Sequence, residues 1–342
     1  MHMADALLSA AAGGTMCAVS AASIGYSITK IRKDELSEKK VPIMAVSGAF
    51  VFAAQMINFT IPGTGSSGHI GGGILLASLL GGYPALLTIS AVLIIQCLFF
   101  ADGGLLALGC NIFNMGVIPC LLVYPFLVKP WLKKRLSTSA ISAASMAAVI
   151  IGLQLGAFSV VLETRASGIS ELPFGTFVLL MQPIHLAIGI VEGAVTAAAL
   201  CFVYKMRPEI LESAETGASI AKTVSLRNVM AALIAVTIAV GGLLSVFASA
   251  YPDGLEWSIE KAAGTTELEV KEPFLEEAGK IQSATAFMPD YDYKSAGDEG
   301  SSTGTSVAGI AGGVMTFAAS GGIALIISAL KKKSKRELSA SA

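Results

Sequence analysis

The run Ala6–Thr29, ALLSAAAGGTMCAVSAASIGYSIT, decides the class of fold. It holds no charged residue and exceeds the roughly 20 apolar residues that cross a hydrocarbon layer as a helix. Small residues recur on it at every fourth position, Ala10, Gly14, Ala18 and Ala22 on one row and Ser9, Gly13, Cys17, Ala21 and Gly25 beside it. Such rows let helix backbones approach closely inside a membrane, so this helix is built to pack against others.

Working outward, further apolar runs cover Ile43–Phe59, Ile70–Leu80, Pro84–Phe100, Leu105–Leu127, Ser139–Leu162, Phe174–Tyr204, Val229–Ala248 and Val307–Leu330. Ile70–Leu80 is short and bounded by glycines, which suits a half-length or tilted helix. Pro119 and Pro125 should bend the run that holds them. The expectation is an all-α, polytopic membrane helical bundle of about nine transmembrane helices. A chain that is 54% hydrophobic and only 14% charged is no soluble domain. Its five cysteines stand singly in apolar runs without a C-x-x-C, so neither a disulfide framework nor a thiolate site is suggested.

Basic residues set the direction. Lys30–Lys40, Lys129–Arg135, Lys205–Arg227 and Lys331–Arg336 fall on one side if the runs alternate, which places the N-terminus outside and the C-terminus inside. The first basic residue, Lys30, follows the first apolar run, so no cleaved leader is expected and the chain is expected to keep Met1. Met1, His2, the loop Pro62–His69, the Asp102 loop and the acidic stretch 251–305 then share the outer face.

Two of the three histidines, His2 and His69, lie in that set. An α-amine, the amide nitrogen after it and the imidazole of residue two can close fused chelate rings on one ion. A second imidazole would complete four nitrogens, a set that suits nickel, copper or cobalt. A terminal histidine is ordinarily a solvated tail and a loop histidine a polar rim residue; their shared face favours the metal reading for Met1, His2 and His69. Polar residues inside apolar runs carry a second expectation. Gln55, Asn58, Gln96, Asn111 and Asn114, with Ser67 and Asp102 in the loops, are candidates to orient the ligands or line a path, or else to tie helices together. His185 and Glu192, seven apart on one helical face, are either a proton or metal step or a buried hydrogen-bonded pair. No H-E-x-x-H, G-x-S-x-G or G-x-x-x-x-G-K-[ST] occurs, so neither an enzyme nor an ATPase of its own is expected.

Several stretches together resemble the CbiM/NikM family, the substrate-binding membrane components of energy-coupling-factor (ECF) transporters for cobalt and nickel. They are MHMADA at 1–6, GSSGH at 65–69, FADGGL at 100–105, LGCNIFNMG at 108–116 and the run Met181–Ala197. Pro252-Asp253-Gly254-Leu255-Glu256-Trp257 is similar to the PDGLE signature of the small CbiN/NikN component. The resemblance implies a fusion: a seven-helix metal-binding domain over 1–205, a cytoplasmic linker over 206–226, and a two-helix PDGLE domain over 227–330. The last holds an outer acidic loop over 251–305, and a basic tail over 331–342 follows it. It also implies Met1, His2 and His69 as metal ligands, and partners in a transmembrane coupling protein and two ABC-type ATPases. The setting implied is the inner (plasma) membrane of a prokaryote, in contact with lipid. No cofactor and no nucleic acid is expected; Co²⁺ or Ni²⁺ is the cargo. Two other readings stand beside it: a secondary transporter driven by an ion gradient through His185 and Glu192, and a metal sensor or chaperone binding through the acidic segment.

Overall fold

A computed structural model of the chain describes residues 1–33, 39–169, 172–265, 268, 273–294 and 302–340. After a short turn at Asp5–Leu7, α1 (Ala10–Lys33) and α2 (Lys40–Gln55) are followed by a small antiparallel hairpin, β1 (Phe59–Ile61) and β2 (Ser66–Gly68). Then come α3 (Gly73–Leu80), α4 (Gly82–Phe100), α5 (Leu108–Lys134), α6 (Thr138–Ser167), α7 (Phe174–Met206) and α8 (Pro208–Thr216). The C-terminal part holds α9 (Arg227–Gly242), α10 (Gly254–Ala263), α11 (Pro273–Thr285) and α12 (Ser302–Ala340). The molecule is a helical membrane protein. Among the described residues, α4, α5, α6, α7 and α12 are long and apolar enough to cross a bilayer, and α2 and α9 are shorter apolar helices.

Local chemistry explains most boundaries. Ser137 caps α6 by accepting from Ala140 N, and Gly168, at φ 70°, ends it. Pro119 and Pro125 lack an N–H and push on the preceding carbonyls, and the backbone between Phe113 and Val128 widens to i→i+5 bonding around them. Every residue of the eight-residue α3 is buried, enclosed by α2, α4 and α5. That is how a helix too short to span can sit among helices that do.

Helices α6 and α7 pair along their length, while α12 lies against α2, α4 and α9. Gly309 of α12 meets the Gly241 backbone of α9, and Gly312 meets the Phe52 ring of α2, so neither place has room for a Cβ. One end of α4 starts beside α8, where Tyr124 Oη donates to Ala214 O at 3.1 Å. Lys39 Nζ reaches the carbonyls of Ala221 and Lys222 at 2.5 and 2.8 Å, joining the basic loops. The other end of α4 closes on Ala101, at φ 56°, and Asp102, where the N-terminus and α11 gather.

Three stretches differ most from the sequence reading. The second apolar run stops being helical at Gln55, and Phe59 enters β1, because the chain turns back through Pro62–Gly65 as a hairpin. The run Val229–Ala248 becomes α9 plus a separate turn at Leu244–Phe247. Within 251–305, expected to be a solvated loop, α10 and α11 fold against the body; 266–267, 269–272 and 295–301 lie outside the described residues.

Candidate metal site

The first eight residues are packed rather than solvated, with only Ala4 exposed. Met3 and Leu8 are fully buried and Leu7 nearly so. Asn111 of α5 clamps the third peptide, accepting from Met3 N at 2.7 Å and donating to Met3 O at 3.3 Å, while Gly104 N donates to the same carbonyl. Asp5 Oδ1 accepts from Ala107 N at 2.9 Å. These bonds carry the Met1 amine to a fixed point. There it donates to His69 Nε2 at 2.9 Å and to Asp253 Oδ2 at 2.6 Å.

His69 arrives on the hairpin. Its Nδ1 donates to Ile70 O at 3.1 Å, so Nε2 carries the lone pair that faces the amine. Behind it, Glu192 of α7 accepts from Gly71 N and Gly72 N, both at 2.9 Å. A one-way chain of hydrogen bonds reaches the other imidazole. Gln55 Nε2 donates to Gly71 O at 2.9 Å and Gln96 Nε2 to Gln55 Oε1 at 2.8 Å. Gln96 Oε1 therefore faces His2 Nε2, at 3.2 Å, and must accept. The proton of His2 thus sits on Nε2 and the lone pair on Nδ1, the ring nitrogen able to chelate together with its own backbone.

His2 Nδ1 stands 3.2 Å from Asp102 Oδ1. Burial and the adjacent ammonium pull the His2 ring down to about 3, so it is neutral and the contact is no ion pair. The Asp102 carboxyl is pushed up by burial, although Tyr291 Oη donates to Oδ2 at 2.5 Å. His69 is likewise held to about 3 by burial and then by the ammonium. Burial alone would raise Asp253; the ammonium and His69 outweigh it and hold this carboxyl below the usual range. The two imidazoles stack, with centroids 5.2 Å apart. His2 and His69 are therefore neutral nitrogen donors.

The other residues singled out in the sequence fall into two groups. Asp102 and Asn111 touch the site directly, and Ser67 joins it to the C-terminal part by donating from N to Pro252 O (2.8 Å) and from Oγ to Tyr251 O (2.7 Å). Asn114, His185 and Glu192 line a cavity of about 40 Å³ beneath Met1 and His69. Asn58 lies outside both groups and accepts through its carbonyl from Ser249 N. His185 and Glu192 do not form a pair: His185 Nδ1 donates to Met181 O at 2.8 Å, its Nε2 is buried without a partner, and both Glu192 oxygens serve the glycine amides. Sequence reasoning missed Asp253, Tyr291 and Glu163, which accepts from Asn114 Nδ2 at 2.8 Å. Only Asp253 had a local signal, as the first residue of an Asp-x-x-Glu helix start, and that signal says nothing of what its second oxygen faces. No group of three or more His, Cys, Asp or Glu side chains stands at metal-binding spacing among the described residues.

Comparison with known proteins gives the chain a family. The family model CbiM, described as the cobalt uptake substrate-specific transmembrane region, matches residues 2–210, and a PDGLE domain model matches residues 227–329. The chain belongs to the CbiM family. This CbiM-family chain is 33% identical over 320 residues to a putative fused nickel transport protein, NikMN, of Archaeoglobus fulgidus, covering 93% of the chain and 96% of that protein. It is 31% identical over 224 residues to a probable fused nickel transport protein, LarMN, of Lactiplantibacillus plantarum, covering 63% of the chain and 68% of that protein. A crystal structure described as a truncated transition metal transporter superposes with a TM-score of 0.53 at 27% identity, covering 60% of this chain and 99% of that one. Like its relatives, this CbiM-family chain is a membrane transport component rather than an enzyme.

Proposed function

We propose that this chain is the substrate-capturing component of an ATP-driven ECF importer for Co²⁺ or Ni²⁺, working in the plasma membrane of a prokaryote. The observation that carries the reading is the 2.9 Å approach of the Met1 amine to the lone-pair nitrogen of His69, across 68 positions of chain. The amine, His2 and His69 Nε2 are the proposed ligands, on the outer face, with the C-terminus inside. The basic loops joined through Lys39 support taking the opposite end as the inner one. ATP hydrolysis is proposed to come from separate partners, since the sequence holds no phosphate-binding loop, and the exposed row Ala10, Gly14, Ala18 and Ala22 of α1 offers the coupling protein a docking face.

Titration of the purified protein with Ni²⁺ and Co²⁺, beside His69→Ala and a variant with one residue added before Met1, tests this. Both changes are expected to weaken binding by at least about 100-fold, more than removal of a group that only orients a ligand. Equal affinity in all three would sink the reading.

A further inference from the structure

Asp253 serves two masters through its two oxygens. Oδ1 caps α10, accepting from Leu255 N at 2.8 Å and Glu256 N at 2.9 Å, and Glu256 returns a bond to Asp253 N at 3.0 Å. With Oδ1 committed to the helix, Oδ2 is turned to the Met1 amine at 2.6 Å and lies 3.8 Å from His69 Nε2. The segment is held there by bonds that do not involve its carboxylate: Ser67 to the carbonyls of Tyr251 and Pro252, and Trp257 Nε1 to Thr64 O at 3.0 Å.

The spacing of the three donors resembles a coordination sphere. Ligands about 2.1 Å from a shared ion stand about 3.0 Å apart at right angles and about 3.4 Å apart in a tetrahedron. The amine, His69 Nε2 and Asp253 Oδ2 are separated by 2.9, 2.6 and 3.8 Å, which brackets those values. A carboxylate only 15% exposed needs a cation beside it, and an ion seated on the amine nitrogen would take over that place from the ammonium.

We propose that Asp253 Oδ2 is a ligand of the transported ion, an anionic oxygen that the C-terminal part of the chain adds to the nitrogens of the N-terminal part. The proposal rests on the reading that the amine and His69 hold the ion. It adds one oxygen donor to that nitrogen set.

The test uses the full-length protein with Co²⁺ as probe, following affinity, visible absorption and the X-ray absorption coordination shell for wild type, Asp253→Ser, Asp253→Asn and His69→Ala. Serine and asparagine rank with aspartate as N-caps, so α10 keeps its start in both. Asp253→Ser, too short to reach the ion, is expected to lower affinity by at least about tenfold, to shift the cobalt absorption bands and to remove one light-atom neighbour. Asp253→Asn is expected to shift the bands in the same direction. Wild-type affinity and spectrum in Asp253→Ser, with binding lost in His69→Ala, would overturn the Asp253 proposal alone. Weaker binding with an unchanged spectrum would also overturn it, leaving Asp253 a positioning role. Unchanged binding in His69→Ala would remove the site reading and this proposal together.

Discussion

At Glu192 one carboxylate accepts from two successive amides, Gly71 N and Gly72 N, beginning two residues after the histidine that faces the amine. Glu192→Gln puts an NH₂ group against one of those donors, which costs about 1–3 kcal/mol locally. Nickel affinity should fall about 10–100-fold, the range for groups that orient ligands, while the fold survives. Wild-type affinity in a titration of that variant would mean the loop does not depend on Glu192. The two imidazoles have their own signature. Both sit near 3 in the folded protein against the usual 6.5, so the unfolded chain takes up their protons first. Their contribution to stability is at its full value above about pH 6.5 and is lost as pH falls toward 3. Thermal melts of the metal-free protein should therefore fall between pH 7 and 4.5, less so in His69→Ala; an equal decline would contradict the assignment.

At the scale of elements, α10 touches the hairpin and α7 closely. A Cβ on Gly254 would stand 2.9 Å from Ile188 and 3.1 Å from His185, so Gly254→Leu should lift α10 off the loop. Hydrogen exchange should then rise in both 62–69 and 251–263, and a rise in 251–263 alone would show that the hairpin holds itself. The helix start was readable from Asp253-x-x-Glu256, and the turn from its glycines, since Gly63 and Gly65 take φ 78° and 74°. The docking of one upon the other was not readable, because it depends on Ser67 and Trp257 meeting backbone carbonyls about 185 to 193 positions away.

The whole molecule is a fusion whose parts interlock. α12 and α9 pack on α2, and α10 packs on α7, so the C-terminal part is joined to the bundle by contacts as well as by the chain. A break between Gly217 and Leu226, made by co-expressing the two pieces, should leave them purifying together from mild detergent with metal binding retained. Pieces that separate would show that the linker itself holds the assembly.

Apolar length, charge placement and the histidine positions together established a helical membrane protein with a nitrogen-rich terminus, because crossing hydrocarbon forces about 20 apolar residues into a helix whatever surrounds them. The same local rules could pick out His2, His69 and Asn111, since polar groups among apolar runs are few. Tautomers, partners and distances came only with the tertiary structure. His2 exposes Nδ1 because Gln55 and Gln96 run a directed chain from Gly71, and Asp253 faces the amine because its other oxygen is bound to a helix. Such choices are settled by which donors and acceptors meet in space, and the order of residues along the chain does not encode that locally.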